Sequence, residues 1–81
     1  MTLPRLTLYG TSGCHLCDEA EALLRQAAPV YGVEWDYVDI ALDAQLCERF
    51  GTRIPVLTDG RTLAGWPFSL VDIGRLAAGG R

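Results

Sequence analysis

Cys14 and Cys17 stand three residues apart, directly after one kind of periodicity and directly before another. Upstream, Arg5-Leu6-Thr7-Leu8-Tyr9 alternates as a strand and is closed by Gly10. Downstream, Leu16, Ala20, Leu23, Leu24 and Ala27 recur on one face at helical spacing. The pair therefore sits at a strand-to-helix junction, and this junction constrains the fold more than any other stretch. Two cysteines at this spacing lie within one helical turn. At a helix start, the free N–H groups and the positive end of the macrodipole favour a thiolate. Thiols held so close join in a disulfide with little backbone movement. The pattern points to thiol–disulfide exchange, with Cys14 as the nucleophile and Cys17, farther onto the helix face, resolving the intermediate.

Ser12 is the expected N-cap of this helix, and Pro29 is expected to end it near Ala28. Asp18, Glu19 and Glu21 suit the macrodipole but oppose ionisation of Cys14 by like-charge repulsion. Val33 to Val38 reads as a second strand with Val33, Trp35 and Tyr37 on one face. A strand, a helix and a strand make a βαβ unit with parallel strands. A short second helix follows, with Asp43 as its cap, Leu42, Leu46 and Phe50 as its apolar stripe, and Gly51 closing it. Ile54 to Thr58 reads as a third strand, Asp59-Gly60 as a two-residue turn, and Arg61 to Ala64 as a fourth. Ser69 and Asp72 form a capping-box pair before the stripe Leu70, Ile73, Leu76 and Ala77, and Gly79-Gly80-Arg81 reads as a fraying tail. The order β-α-β-α-β-β-α predicts a single α/β domain over residues 1–81, a mixed four-stranded sheet with helices on both faces.

Composition narrows the function. The 81 residues carry a net charge of −3 with scattered basic residues, which argues against a nucleic-acid partner. No apolar run approaches the roughly 18 residues of a membrane span, so no membrane association is expected. Met1 to Arg5 lacks the apolar segment of a signal peptide, and a cytoplasmic location is the expectation. Three cysteines fit that compartment, where a Cys-x-x-Cys is catalytic or metal-binding more often than structural. A zinc site needs four ligands. Cys14, His15, Cys17 and Cys47 supply the number, but adjacent Cys14 and His15 make awkward tetrahedral partners. No metal is expected, and no iron–sulfur cluster shared across a dimer. Cys47, beside Leu46, reads as a partly buried packing residue. His15 carries two readings: a charge or proton shuttle beside the thiolate, or a solvent-facing helix residue. Trp66 and Phe68 likewise read either as core or as an apolar rim against a protein substrate.

Leu6-Thr7-Leu8-Tyr9, Cys14-His15-Leu16-Cys17-Asp18-Glu19 and Arg53-Ile54-Pro55-Val56-Leu57 together resemble the glutaredoxin-like proteins of the thioredoxin superfamily. The match is to a small bacterial group whose motif reads Cys-His-Leu-Cys, and it spans Arg5 to about Ala77. The resemblance implies a thioredoxin-like fold with sheet order 2-1-3-4. It also implies a cis peptide before Pro55 beside the cysteines, turning the Ile54 N–H and C=O toward an extended substrate. The cofactor implied is the protein's own Cys14–Cys17 dithiol, with nothing bound. Two departures stand out. Glutathione-using relatives carry a Lys before the first cysteine and a Gly-Gly-x-Asp type segment after the hairpin. Here those regions read Thr11 and Ala64-Gly65-Trp66-Pro67-Phe68. Arg49 or Arg53 remains to meet a glutathione carboxylate.

The expectation is a monomeric thiol–disulfide oxidoreductase working on a disulfide-containing protein or small molecule. Cys14, Cys17 and His15 would be its catalytic set, and Arg53, Ile54, Pro55 and Trp66 its substrate set. Glutathione or thioredoxin reductase would supply electrons, the second route making it a glutathione-independent donor. A redox-inactive module that binds partners at Ile54-Pro55 is the competing reading. The N-terminal domain of a glutathione transferase has the right size, but the helical second domain such enzymes need is missing.

Overall fold

A computed structural model describes residues 4–79. The elements run in the order β1 (Arg5–Gly10), α1 (His15–Tyr31), β2 (Glu34–Asp39), a 3₁₀ turn (Ile40–Leu42), α2 (Ala44–Phe50), β3 (Val56–Thr58), β4 (Leu63–Gly65) and α3 (Leu70–Ala78). The sheet order is β2-β1-β3-β4, with β1 and β2 parallel and the other pairs antiparallel. This is the thioredoxin-like arrangement that the resemblance implies. Beyond Gly79, the tail read at Gly79-Gly80-Arg81 lies outside the described residues.

Alternation along β1 splits the core in two. Leu6 and Leu8 face α1 and α3, joining Ala20, Leu24, Ala27, Val33, Leu57, Phe68, Ile73, Leu76 and Ala77. On the opposite face Tyr9 packs with Ile40, Phe50, Val56, Leu46 and Ile54 under α2. Its ring stacks on Phe50 with centroids 4.7 Å apart. Thr58 is the buried polar residue of the core, and it is satisfied: its hydroxyl donates to the Thr62 carbonyl and accepts from the Gly60 N–H.

Several local expectations shift. The α1 cap is Cys14, not Ser12, because the turn through Gly13 (φ 81°) delays the helix to His15. That start sets the phase, so the buried stripe is Cys17, Ala20, Leu24 and Ala27, while Leu16 is exposed. Pro29 does not end α1. A proline's φ is helical, and the N–H it lacks faces the exposed side of the last turn. The helix stops instead at Gly32, left-handed at φ 63°, where the N–H groups of Gly32 and Val33 both meet the Ala28 carbonyl. Leu42 is exposed because it belongs to a 3₁₀ turn, capped by Asp39, and lies outside α2. The Asp43 cap and the Ser69/Asp72 capping box are present, although Leu70, the first residue of α3, is partly exposed. The β3–β4 connection is four residues rather than two, since Thr58 pairs with Leu63. Within it Asp59 accepts the N–H groups of both Arg61 and Thr62, which hold its carboxyl below the usual carboxylate range. Cys47 is exposed, its thiol donating to the Ile40 carbonyl at 3.0 Å. The α2 stripe turns Leu46 and Phe50 inward and leaves the position between them on the solvent side.

Candidate active site

The β1–α1 loop brings the two cysteines together. Cys14 sits in extended conformation (φ −90°, ψ 107°), its N–H donating to the Thr11 carbonyl and its own carbonyl accepting the Asp18 N–H. Its sulfur accepts the Cys17 N–H at 3.2 Å. The nucleophile proposed from the sequence is therefore the N-cap of α1, placed at one of the orphan donors of the first turn. Cys14 and Cys17 are joined as a disulfide with a Cα–Cα distance of 5.2 Å. Cys17 is fully buried and belongs to the apolar stripe of α1, whereas Cys14 is partly accessible. A substrate disulfide can reach the sulfur of Cys14 and cannot reach that of Cys17.

His15 turns away from this pair. Its side chain is 88% exposed, with Nε2 3.2 Å from the Glu19 carboxylate one turn on. Among the described residues no group of three or more His, Cys, Asp or Glu side chains is arranged to hold a metal ion.

The Ile54–Pro55 peptide is cis, as the resemblance implies. Pro55 is fully buried. The Ile54 N–H, expected to face substrate, donates to the Phe50 carbonyl at 3.1 Å. That N–H is therefore engaged within the fold. The Trp66–Pro67 peptide is also cis. Arg53 and Trp66 meet in a cleft of about 340 Å³ lined further by Phe50, Thr52, Val56, Leu63 and Gly65. Trp66 lines this cleft and packs T-shaped against buried Phe68, with centroids 5.1 Å apart. Phe68 belongs to the core, and Trp66, partly buried, packs against the same cluster. Arg49 lies over the Phe50 ring, 4.9 Å from its centroid, which leaves Arg53 as the cleft's guanidinium.

The family model of the glutaredoxin-like domain (DUF836) matches residues 5–76, which takes in the cysteine loop, the cis-proline segment and most of α3. The chain belongs to this glutaredoxin-like family. Among solved structures it is similar to the structural genomics target XcR50 from X. campestris, solved by X-ray diffraction. The two are 38% identical, over 85% of this chain and 89% of that one, with a TM-score of 0.74. It is also similar to protein Ne2328 from Nitrosomonas europaea, solved by NMR, at 27% identity over 91% of each chain and a TM-score of 0.77. A malarial protein at 18% identity and a TM-score of 0.62, over 93% of each chain, shares the fold alone. No curated protein matches. Membership in the glutaredoxin-like family and the thioredoxin-like fold support a redox-type function, and the joined Cys14–Cys17 pair fits it.

Sequence reasoning missed two parts of this site. The cleft walls Phe50, Val56 and Leu63 look like ordinary core or strand residues until the sheet is assembled. Tyr37 reads as one face of a strand, yet its hydroxyl reaches the cysteine loop and donates to the Thr11 carbonyl.

Proposed function

We propose that this protein is a dithiol–disulfide oxidoreductase in which Cys14 attacks and Cys17 resolves. The observation that carries the reading is the asymmetry of the pair: one sulfur accessible and capping a helix, the other fully buried beside it. The Cys14 thiolate attacks a substrate disulfide, forming a mixed disulfide and releasing one substrate thiolate. Cys17, as thiolate, then attacks Cys14 Sγ, forming the Cys14–Cys17 disulfide and releasing the second. Two electrons pass from the dithiol to the substrate. Two external thiols, or a reductase, return them.

The cap geometry supports Cys14 in this role because negative charge on its sulfur gains from the Cys17 N–H and from the helix N-terminus. Asp18 and Glu19 act against it, so a modest activation is expected. Such a thiol keeps more intrinsic nucleophilicity than a strongly acidified one. His15, exposed and turned to Glu19, stands outside the exchange. Substrate lies along the Ile54 carbonyl, with its anionic or apolar groups in the Arg53–Trp66 cleft. The protein works as a monomer in the cytoplasm, drawing electrons from glutathione or from thioredoxin reductase.

Reduction of a protein disulfide, assayed in turn with glutathione and with thioredoxin reductase as donor, tests the proposal. Wild type turns over with at least one donor, and the donor that works is the physiological class. Cys14→Ser abolishes turnover with both. A Cys14→Ser variant as active as wild type overturns the redox role and leaves the partner-binding module.

A further inference from the structure

Three elements converge on the backbone just ahead of the cysteines. Gly10 ends β1, Tyr37 lies near the end of β2, and Thr11 opens the loop that leads to Cys14. The Tyr37 hydroxyl donates to the Thr11 carbonyl at 3.2 Å. The same carbonyl accepts the Cys14 N–H at 3.3 Å. One oxygen thus ties the loop from within, through Cys14, and from the neighbouring strand, through Tyr37.

Gly10 makes this approach possible. A Cβ at that position would lie 2.5 Å from the Tyr37 hydroxyl oxygen and 3.1 Å from Cys17 Cβ. Glycine is the residue that lets the phenol sit beside buried Cys17 and still reach Thr11. Charges surround the hydroxyl from two elements, Asp39 on β2 and Asp18 and Glu21 on α1. Burial, reinforced by these carboxylates, pushes the Tyr37 phenol up, so it remains a donor across the neutral range.

We propose that Tyr37 is a positioning residue for the exchange, its hydrogen bond to the Thr11 carbonyl holding Cys14 against Cys17. The proposal rests on the redox reading above. Closure of the Cys14–Cys17 disulfide is an intramolecular reaction, and its equilibrium depends on the effective concentration of one sulfur at the other. A loop tied at Thr11 keeps that concentration high, and a loop released there lowers it. Tyr37 acts through the backbone of the loop, at the Thr11 carbonyl.

Tyr37→Phe removes one oxygen and keeps the ring beside Gly10, so the fold survives. Oxidised glutathione is the probe. The Cys14 and Cys17 thiols together with one glutathione disulfide give the Cys14–Cys17 disulfide and two molecules of glutathione, and two electrons pass to the glutathione couple. The equilibrium constant is read from the oxidised fraction after acid quenching and alkylation. It falls roughly three- to tenfold in Tyr37→Phe, the range of one hydrogen bond. By linkage, the variant loses correspondingly more unfolding stability when oxidised than when reduced. A hydroxyl with a merely structural role lowers both stabilities equally and leaves the constant unmoved, and that result overturns the proposal. A wild-type protein whose cysteines ignore glutathione buffers overturns the redox reading and this proposal together. Exchange in wild type with no change in Tyr37→Phe overturns this proposal alone.

Discussion

The backbone N–H of Cys17 donates to the sulfur of Cys14 at 3.2 Å. The accessible sulfur therefore holds the start of the helix that buries its partner, and chemistry and local stability share one atom. Serine can take over the second task but not the first. Cys14→Ser is expected to abolish disulfide exchange while keeping the cap. Cys14→Ala is expected to lose both and to be less stable than the serine variant by about 1 kcal/mol, the usual value of an N-cap side chain. Urea unfolding of both variants, compared with the reduced wild type, measures the difference.

Burial of Cys17 makes the second step strictly internal. Cys17→Ser leaves Cys14 able to attack and removes the thiol that resolves, so incubation with oxidised glutathione should yield one glutathione adduct on Cys14. Intact-mass measurement followed by peptide mapping checks it. Adducts spread equally over Cys14 and exposed Cys47 would show that Cys14 is no more reactive than a surface thiol.

His15 faces solvent and pairs with Glu19. Interactions between exposed charges are worth up to about 1 kcal/mol. His15→Gln should therefore change the rate of exchange by less than about fivefold, with a further reduction of the difference at high salt. Stopped-flow rates with a small disulfide at two salt concentrations report it.

Tyr37 links the site to alkaline stability. The unfolded chain ionises this phenol at the ordinary value of 10.0, whereas burial and the carboxylates of Asp39, Glu21 and Asp18 raise it in the folded protein. The folded state then binds the proton more tightly. Its contribution is fully present below about pH 10 and declines as pH rises through the folded value. Wild type should lose more stability than Tyr37→Phe above pH 10, measured by urea unfolding at stepped pH.

Periodicity in the sequence carried most of this fold. Alternation in Arg5 to Tyr9 and the stripe Ala20, Leu24, Ala27 placed β1 and α1, and the resemblance carried by the Cys-His-Leu-Cys and Ile54-Pro55 segments supplied the sheet order. What failed was local. Cys14 was legible as a nucleophile but not as a cap, because caps are sought among hydroxyl and carboxyl side chains. In the sequence Leu16 reads as core, because the position that holds the stripe, Cys17, carries a reactive side chain. Pro29 reads as a stop but is tolerated, because its missing hydrogen bond weighs less in a solvent-facing last turn than in a helix interior. The contact between Tyr37 and Thr11 spans 26 positions and depends on the parallel register of β1 with β2. No local pattern announces such a pairing.

The redox proposal stands or falls on whether the start of α1 activates the Cys14 thiol despite its acidic neighbours. The most direct measurement is the pH dependence of alkylation at Cys14 in the reduced protein, with Cys47 replaced by serine. The expected apparent pKa is below about 7.5, lowered from the roughly 8.5 of a free thiol by the Cys17 N–H and the helix N-terminus. A value at or above about 8.5 would mean that repulsion from Asp18 and Glu19 outweighs the helix start and that Cys14 is not an activated nucleophile.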